Sequence, residues 1–140
     1  MAKVSETIEI KASKKKVFDV ITDFEAYPEF LPETKKVTID KKSKNTYIVT
    51  FTIEVVKSVS YTLDMRAKPP SELSWTLVKG EIMKSNTGRW LLEEVRKGVT
   101  KAIYEVDVNL GLLVPAAITK TLISKDLPKM LAHFKARIEG

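Results

Sequence analysis

The sequence contains no cysteine, and its only histidine is His133. Without cysteine, the chain cannot form disulfides, offer a thiolate nucleophile or bind zinc or an iron–sulfur cluster through cysteine ligands. A single histidine excludes metal motifs of the HExxH type, and a serine–histidine dyad would need His133 itself as its base. The apolar neighbours of His133 favour a packing or surface role over catalysis.

Glycine and long apolar runs are also scarce. The five glycines are scattered, so no GxxxxGK[ST] or GxGxxG loop can be assembled, and nucleotide-dependent chemistry is disfavoured. The longest apolar run, residues 111–118, is too short to span a bilayer, and the charged, alternating start MAKVSETIEIKAS differs from a signal peptide. We therefore expect a soluble, cytoplasmic protein that needs no metal or other cofactor, with one domain over residues 1–140.

The charge excess is positive but modest, with a net charge of +6 and an isoelectric point near 9.4. The lysine cluster, the densest group of basic residues, consists of Lys35, Lys36, Lys41, Lys42 and Lys44. No aromatic residue is interleaved for base stacking before Tyr47, so a solvated hairpin is favoured over a nucleic-acid surface. A transient contact with an anionic membrane surface stays open as a third use of these lysines.

The stretch ASKKKVFDVITDFEAYPEFLP, residues 12–32, predicts a helix followed by an aromatic turn. Ser13 is placed to cap the first turn, and apolar residues follow at helical spacing. Pro28 and Pro32 disfavour helical dihedral angles in the residues before them, so the helix should end near Ala26 and any second helix should be short. Tyr27, Phe30 and Leu31 would then cluster at the bend.

Period-two alternation predicts about seven strands joined mostly by short turns. The first strand carries Val4, Ile8 and Ile10 on one face, and Val37 and Ile39 mark the second. The inward positions of the next two are Tyr47, Val49, Phe51, Ile53, Val55, Val59, Tyr61, Leu63, Met65 and Ala67. Those of the last three are Leu73, Trp75, Leu77, Gly88, Trp90, Leu92, Ala102, Tyr104, Val106 and Val108.

Residues 114–138 have the periodicity of a long helix. Pro128 cannot donate a hydrogen bond to the carbonyl of Ser124, so we expect a kink there. A second apolar set, Val114, Ile118 and Leu122, lies on another side of its N-terminal half. That set would pack under a loop, form a dimer contact or line the lip of an apolar pocket, and the sequence leaves the oligomeric state open.

This order of elements predicts an α+β fold in which an antiparallel sheet wraps around the C-terminal helix. The alternation pattern does not reveal the curvature of the sheet. A solid core and a ligand-holding cavity therefore both remain open at this point.

The chain resembles the START-like helix-grip superfamily, in the branch of polyketide cyclase/dehydrase and coenzyme Q-binding proteins. The resemblance rests on three segments in order, IEIKASKKKVFDVITDFEAYPEFLP, VKGEIMKSNTGRWLLEEV and VDVNLGLLVPAAITKTLISKDLPKMLAHFKARIE. It implies a curved sheet of about seven strands around a long C-terminal helix, with two short helices after the first strand. It also implies a deep pocket for lipids, quinones, polyketides or similar hydrophobic molecules.

The candidate ligand-binding residues are Tyr47, Phe51, Tyr61, Leu63, Trp75, Trp90, Tyr104, Ile118, Leu122, Ile123 and Leu127. Arg89, within a GRW segment similar to the family's GxW strand, and Glu6 are candidate polar anchors. Strict alternation nevertheless favours the outer face of the sheet for Arg89, and a strand end or a bulge for Glu6. No catalytic residue is assigned.

Three functions follow as hypotheses. The leading one is a non-catalytic protein that binds or transports a hydrophobic small molecule, held by burial of apolar area and oriented by a phenol or Arg89. The second is an enzyme of the polyketide cyclase/dehydratase type, which would steer and protonate an enolate in a dry cavity. The third is a ribosome-associated toxin-like interaction protein that uses the lysine cluster.

Overall fold

The computed structural model describes residues 2–54, 58–111 and 114–140. Within these ranges seven strands form one antiparallel sheet in the order β1-β7-β6-β5-β4-β3-β2. The strands are β1 (Ala2–Ile10), β2 (Thr34–Lys42), β3 (Thr46–Glu54), β4 (Ser58–Lys68), β5 (Glu72–Gly80), β6 (Ser85–Arg96) and β7 (Val99–Asn109). Val55, predicted on the inward face of β3, lies outside the described residues.

The predicted first helix is divided into two. Helix α1 (Lys14–Ile21) begins after Ser13, whose hydroxyl accepts the N–H of Lys16 at 3.2 Å, and it ends earlier than the sequence predicts. A 3-10 helix (Phe24–Glu29) follows. The hydroxyl of Tyr27 donates to the carbonyl of Ile21 at 2.5 Å, and so pairs an acceptor that the end of α1 leaves free.

The C-terminal helix contains a wide turn where the kink was expected. It consists of α2 (Ala116–Thr121), a π-helical turn (Leu122–Asp126) and α3 (Leu127–Glu139). The N–H of Leu127 donates to the carbonyl of Leu122, five residues back. This turn immediately precedes Pro128, which has no N–H to continue the α-helical ladder.

The core lies between the inner face of the curved sheet and the helices. Its fully buried side chains include Ile21 from α1, Phe24 from the 3-10 helix, Leu73 from β5, and Phe134 and Ile138 from α3. The rings of Tyr27, Tyr47 and Phe51 surround Phe24 with centroids 5.2 to 6.5 Å away. The predicted helix-grip fold is therefore confirmed.

Strand β2 forms one edge of the sheet and carries most of the lysine cluster. Its pairing with β3 is interrupted twice, between Thr34 and Lys36 and between Ile39 and Lys41. Lys35, Lys36, Lys41, Lys42 and Lys44 are all exposed. The lysines therefore lie on a solvated edge strand and its hairpin, as the sequence predicts.

In the described ranges, no helix is both long enough and apolar enough to cross a membrane.

Candidate functional site

A cavity lies between the inner face of the sheet and the C-terminal helix. Its larger chamber has a volume of about 520 Å³, and a deeper chamber has a volume of about 100 Å³. Among the described residues, six line both chambers, so the two chambers are adjacent. They are Leu31, Thr34, Tyr61, Asn86, Tyr104 and Met130.

Aromatic rings build the deeper chamber. The ring of Tyr104 packs against Trp75 and Trp90, with centroids 5.6 and 5.0 Å away. The ring of Tyr61 stacks on Phe51 at 5.3 Å. Because strands β3 to β7 carry these residues at inward positions, the packing fixes where both phenol groups lie.

Both phenols stay neutral at physiological pH. Burial raises the pKa of Tyr61 to about 12. Burial, with a smaller contribution from the nearby Tyr61, raises the pKa of Tyr104 well above its usual value. These hydroxyls can therefore donate hydrogen bonds to a bound molecule, but they are poorly suited to act as bases.

The buried amide of Asn86 completes the polar part of the cavity wall. Its Oδ1 accepts the indole N–H of Trp75 at 3.0 Å, and its Nδ2 lies 3.6 Å from the sulfur of Met83. Asn86 is not among the residues predicted from the sequence, although it shares the inward alternation of Gly88 and Trp90 on β6. A polar residue at an inward position two residues before Gly88 was the signal that could have identified it.

Ionisable groups gather at the solvent-facing side of the larger chamber. Glu33, Asp126, Lys129 and His133 all line it, and three of the four are exposed. Partial burial and the neighbouring carboxylate of Asp126 raise the pKa of Glu33, while Lys129 and His133 act in the opposite direction. The cavity therefore has a charged mouth and an uncharged inner end.

Nine of the predicted ligand-binding residues line one or both chambers. They are Phe51, Tyr61, Leu63, Trp75, Trp90, Tyr104, Leu122, Ile123 and Leu127. The structure therefore brings together residues from the sheet and from the C-terminal helix at one site.

Tyr47 does not line either chamber. It lies near the hairpin end of β3, where its ring packs against Phe24 at 5.2 Å and the ammonium group of Lys42 lies 5.9 Å from its ring centroid. Alternation predicted the correct face of the strand, but Phe24 from the 3-10 helix fills the space next to Tyr47. Tyr47 therefore packs beside the cavity and not in its lining.

Ile118 is also outside the cavity lining. On the same part of the helix, Thr119, Leu122 and Ile123 face the larger chamber, and Ile118 is half-exposed. The π-helical turn changes the helical phase relative to α3, so a single 3.6-residue period does not assign both ends of the helix.

Neither predicted polar anchor lines the cavity. Arg89 lies on the outer face of the sheet, along a polar groove, and its guanidinium pairs with Glu105 at 2.5 Å. A hydrogen bond and the charge of Glu105 raise the pKa of Arg89. Glu6 is half-buried opposite Tyr104 on the edge strand β1, but the cavity lining does not include it.

Comparison with known proteins places this architecture in context. A family model described as polyketide cyclase/dehydrase and lipid transport matches residues 1–139. No curated protein sequence matches the chain.

Three solved structures illustrate the similarity. A START superfamily protein from Mycobacterium smegmatis is 23% identical, with a TM-score of 0.85 over 98% of this chain and 97% of the other. The Zhui aromatase/cyclase from a Streptomyces species is 14% identical, with a TM-score of 0.89 over 99% and 93%. Major latex-like protein 151 from Panax ginseng is 11% identical, with a TM-score of 0.73 over 99% and 98%. At these identities the likeness establishes the fold alone.

Proposed function

Because the chain belongs to the polyketide cyclase/dehydrase and lipid transport family, we propose that it binds an uncharged, largely apolar small molecule between the sheet and the C-terminal helix. The observation that carries this proposal is the distribution of charge along the cavity. Among the described residues, every charged side chain of the lining lies in the larger chamber, and the deeper chamber is lined by aromatic, aliphatic and neutral polar groups.

Such a cavity favours an apolar guest because binding removes hydrocarbon surface from water on both partners. Each Å² of apolar surface that is buried contributes about 25 cal/mol. The phenols of Tyr61 and Tyr104 would then orient the ligand through hydrogen bonds. Binding and transport need only this burial and orientation.

A cavity-filling variant tests the proposal. Met130 lines both chambers, so Met130→Trp should occupy the space where they meet. Ala132→Trp is the matched control because Ala132 is exposed on the same helix. Native mass spectrometry of freshly purified protein should show a bound apolar molecule in the wild type and in the control, and none in Met130→Trp.

A titration with quinones and fatty-acid methyl esters, which are uncharged, provides an independent readout when it is monitored by tryptophan fluorescence. Trp75 and Trp90 line the deeper chamber, so occupancy should change their emission. If the wild type carries no extractable molecule and its tryptophan emission does not change with any probe, the binding proposal is overturned.

The second candidate function is a cyclase or dehydratase reaction on a polyketide-like substrate. The specific observation in its favour is the pair of neutral phenols, which could donate hydrogen bonds to the oxygen of a developing enolate. Tyr61→Phe and Tyr104→Phe separate the two functions. An enzyme should lose turnover of a poly-ketone substrate in these variants, whereas a carrier should retain its ligand with a modest loss of affinity.

A further inference from the structure

Asn86 is a buried amide at the junction of the two chambers. Only 7% of its surface is exposed, and it lines both parts of the cavity. Buried amides normally have strong partners for both their oxygen and their NH2 group. In Asn86, the oxygen has a strong partner and the NH2 group has a weak one.

Trp75 determines which end of the amide is satisfied. An indole N–H can only donate, so the atom 3.0 Å away must be the carbonyl oxygen of Asn86. The NH2 end is then left with the sulfur of Met83 at 3.6 Å, and a thioether is a weak acceptor. At least one N–H of Asn86 is therefore available to a molecule in the cavity.

The two phenols add donors of the same kind. The side chains of Tyr61 and Tyr104 line the two chambers together with Asn86, and their hydroxyls can donate to a ligand. A carbonyl oxygen has two lone pairs and can accept from two donors at once. A protonated amine has no lone pair and cannot accept a hydrogen bond from any of these donors.

On the basis of the proposed binding function, we propose that Asn86 is the specificity-determining residue of the cavity and that it binds an uncharged carbonyl oxygen of the ligand. The ligand class is then a ketone or related neutral carbonyl compound. Carboxylates are disfavoured because no cation lies among the described residues of the deeper chamber to compensate a buried charge. Trp75 acts as a positioning residue, since it holds the amide with its N–H groups available.

Four probes with one naphthalene ring test this selectivity by calorimetry: acetylnaphthalene, isopropylnaphthalene, naphthoate and naphthylethylamine. They share the apolar body and differ in the polar group. The wild type should bind the ketone about fivefold more tightly than the hydrocarbon, which corresponds to one net hydrogen bond. The carboxylate and the amine should bind more weakly than the ketone.

Three variants identify the residue responsible. Asn86→Leu should remove the preference for the ketone over the hydrocarbon, measured as the ratio of the two affinities in the same variant. Trp75→Phe keeps an aromatic ring but removes the indole N–H that holds the amide of Asn86. It should therefore reduce the preference for the ketone over the hydrocarbon, although Trp75 itself does not bind the ligand's oxygen. Asn45→Leu is the matched control, because Asn45 lies in the exposed hairpin outside the cavity, and it should retain the wild-type preference.

The outcomes separate this inference from the proposed function. If the wild type binds the hydrocarbon or the carboxylate as tightly as the ketone, the inference is overturned while the binding function stands. The inference is also overturned, and the binding function also stands, if both Asn86→Leu and Trp75→Phe keep the wild-type preference for the ketone. If no probe binds, both are overturned. Since the wild-type comparison needs no substitution, the inference stays testable even if Asn86→Leu fails to fold.

Discussion

Gly88 on β6 leaves the space that the ring of Trp75 occupies. A Cβ atom at Gly88 would lie 2.5 Å from Cζ2 of Trp75 and 2.6 Å from the backbone carbonyl oxygen of Glu105. The two residues face each other directly in the β5–β6 register. The absent side chain therefore leaves room for the ring of Trp75, whose indole N–H donates to Asn86.

Gly88→Ala should destabilise the protein and move Trp75. Because neither the ring of Trp75 nor the backbone carbonyl of Glu105 can move without a large cost in energy, we expect a loss of about 2 kcal/mol in the free energy of unfolding. Urea unfolding measures this loss, and tryptophan emission reports the displacement. The control is Thr87→Val, at the exposed neighbouring position, which should leave the free energy of unfolding and the tryptophan emission nearly unchanged. Equal unfolding midpoints for Gly88→Ala and Thr87→Val would contradict the prediction.

Arg89→Gln should leave ligand binding intact. Arg89 lies on the outer face of the sheet and pairs with Glu105, so it cannot reach a molecule in the cavity. Calorimetry with acetylnaphthalene should give the wild-type affinity within twofold, in contrast to the loss expected for Asn86→Leu. A large loss of affinity in Arg89→Gln with the fold intact would show that the outer groove takes part in binding.

Ser13→Ala should destabilise helix α1 by about 1 kcal/mol, because the N–H of Lys16 loses its acceptor. Ser13→Asp should retain or exceed the wild-type stability. The aspartate oxygen can accept the same bond, and its charge offsets the unfavourable Lys14, Lys15 and Lys16 at the positive end of the helix dipole. Thermal unfolding of the three proteins tests this order, and similar stabilities for the alanine and aspartate variants would refute it.

The buried phenols should make stability fall steeply in strong alkali. Unfolded tyrosine loses its proton near pH 10, whereas the fold holds the pKa of Tyr61 at about 12. The folded state then binds more protons than the unfolded state, so stability is fully present below about pH 10 and is lost as the pH rises toward 12. Each such phenol lowers the free energy of unfolding by about 1.4 kcal/mol per pH unit in that window.

Ultraviolet absorbance of the phenolate form follows this titration directly, and Tyr61→Phe provides the control. The variant should lack one late-ionising phenol and show a shallower loss of stability above about pH 10. If wild type and variant lost stability in parallel, Tyr61 would not be buried as described.

The sequence predicts the fold well because each strand buries one face. Alternation from Val59 to Ala67 on β4 and from Ala102 to Val108 on β7 indicates inward positions that the structure confirms. The cap at Ser13 is equally local. Features of this kind depend only on neighbouring residues and on the period of the apolar positions along the strand.

The site is less predictable because it depends on where elements from distant parts of the chain meet. Tyr47 and Tyr61 both face inward, but only packing against Phe24 shows that Tyr47 lies outside the cavity. Likewise, helical spacing alone did not exclude Ile118 from a lining that contains its neighbours Leu122 and Ile123. Alternation places Asn86 at an inward position, but its hydrogen bond with the indole N–H of Trp75 is visible only in the folded structure.

The lysines of β2 have a consequence for experiments that change the charge of this protein. An edge strand presents unpaired backbone groups to other chains, and lysines with interrupted pairing discourage strand addition there. Neutralising Lys35, Lys36, Lys41, Lys42 and Lys44 together would therefore remove a barrier to self-association as well as any docking surface. Light scattering should accompany every partner-binding assay of such a variant, because aggregation would otherwise imitate the loss of a partner.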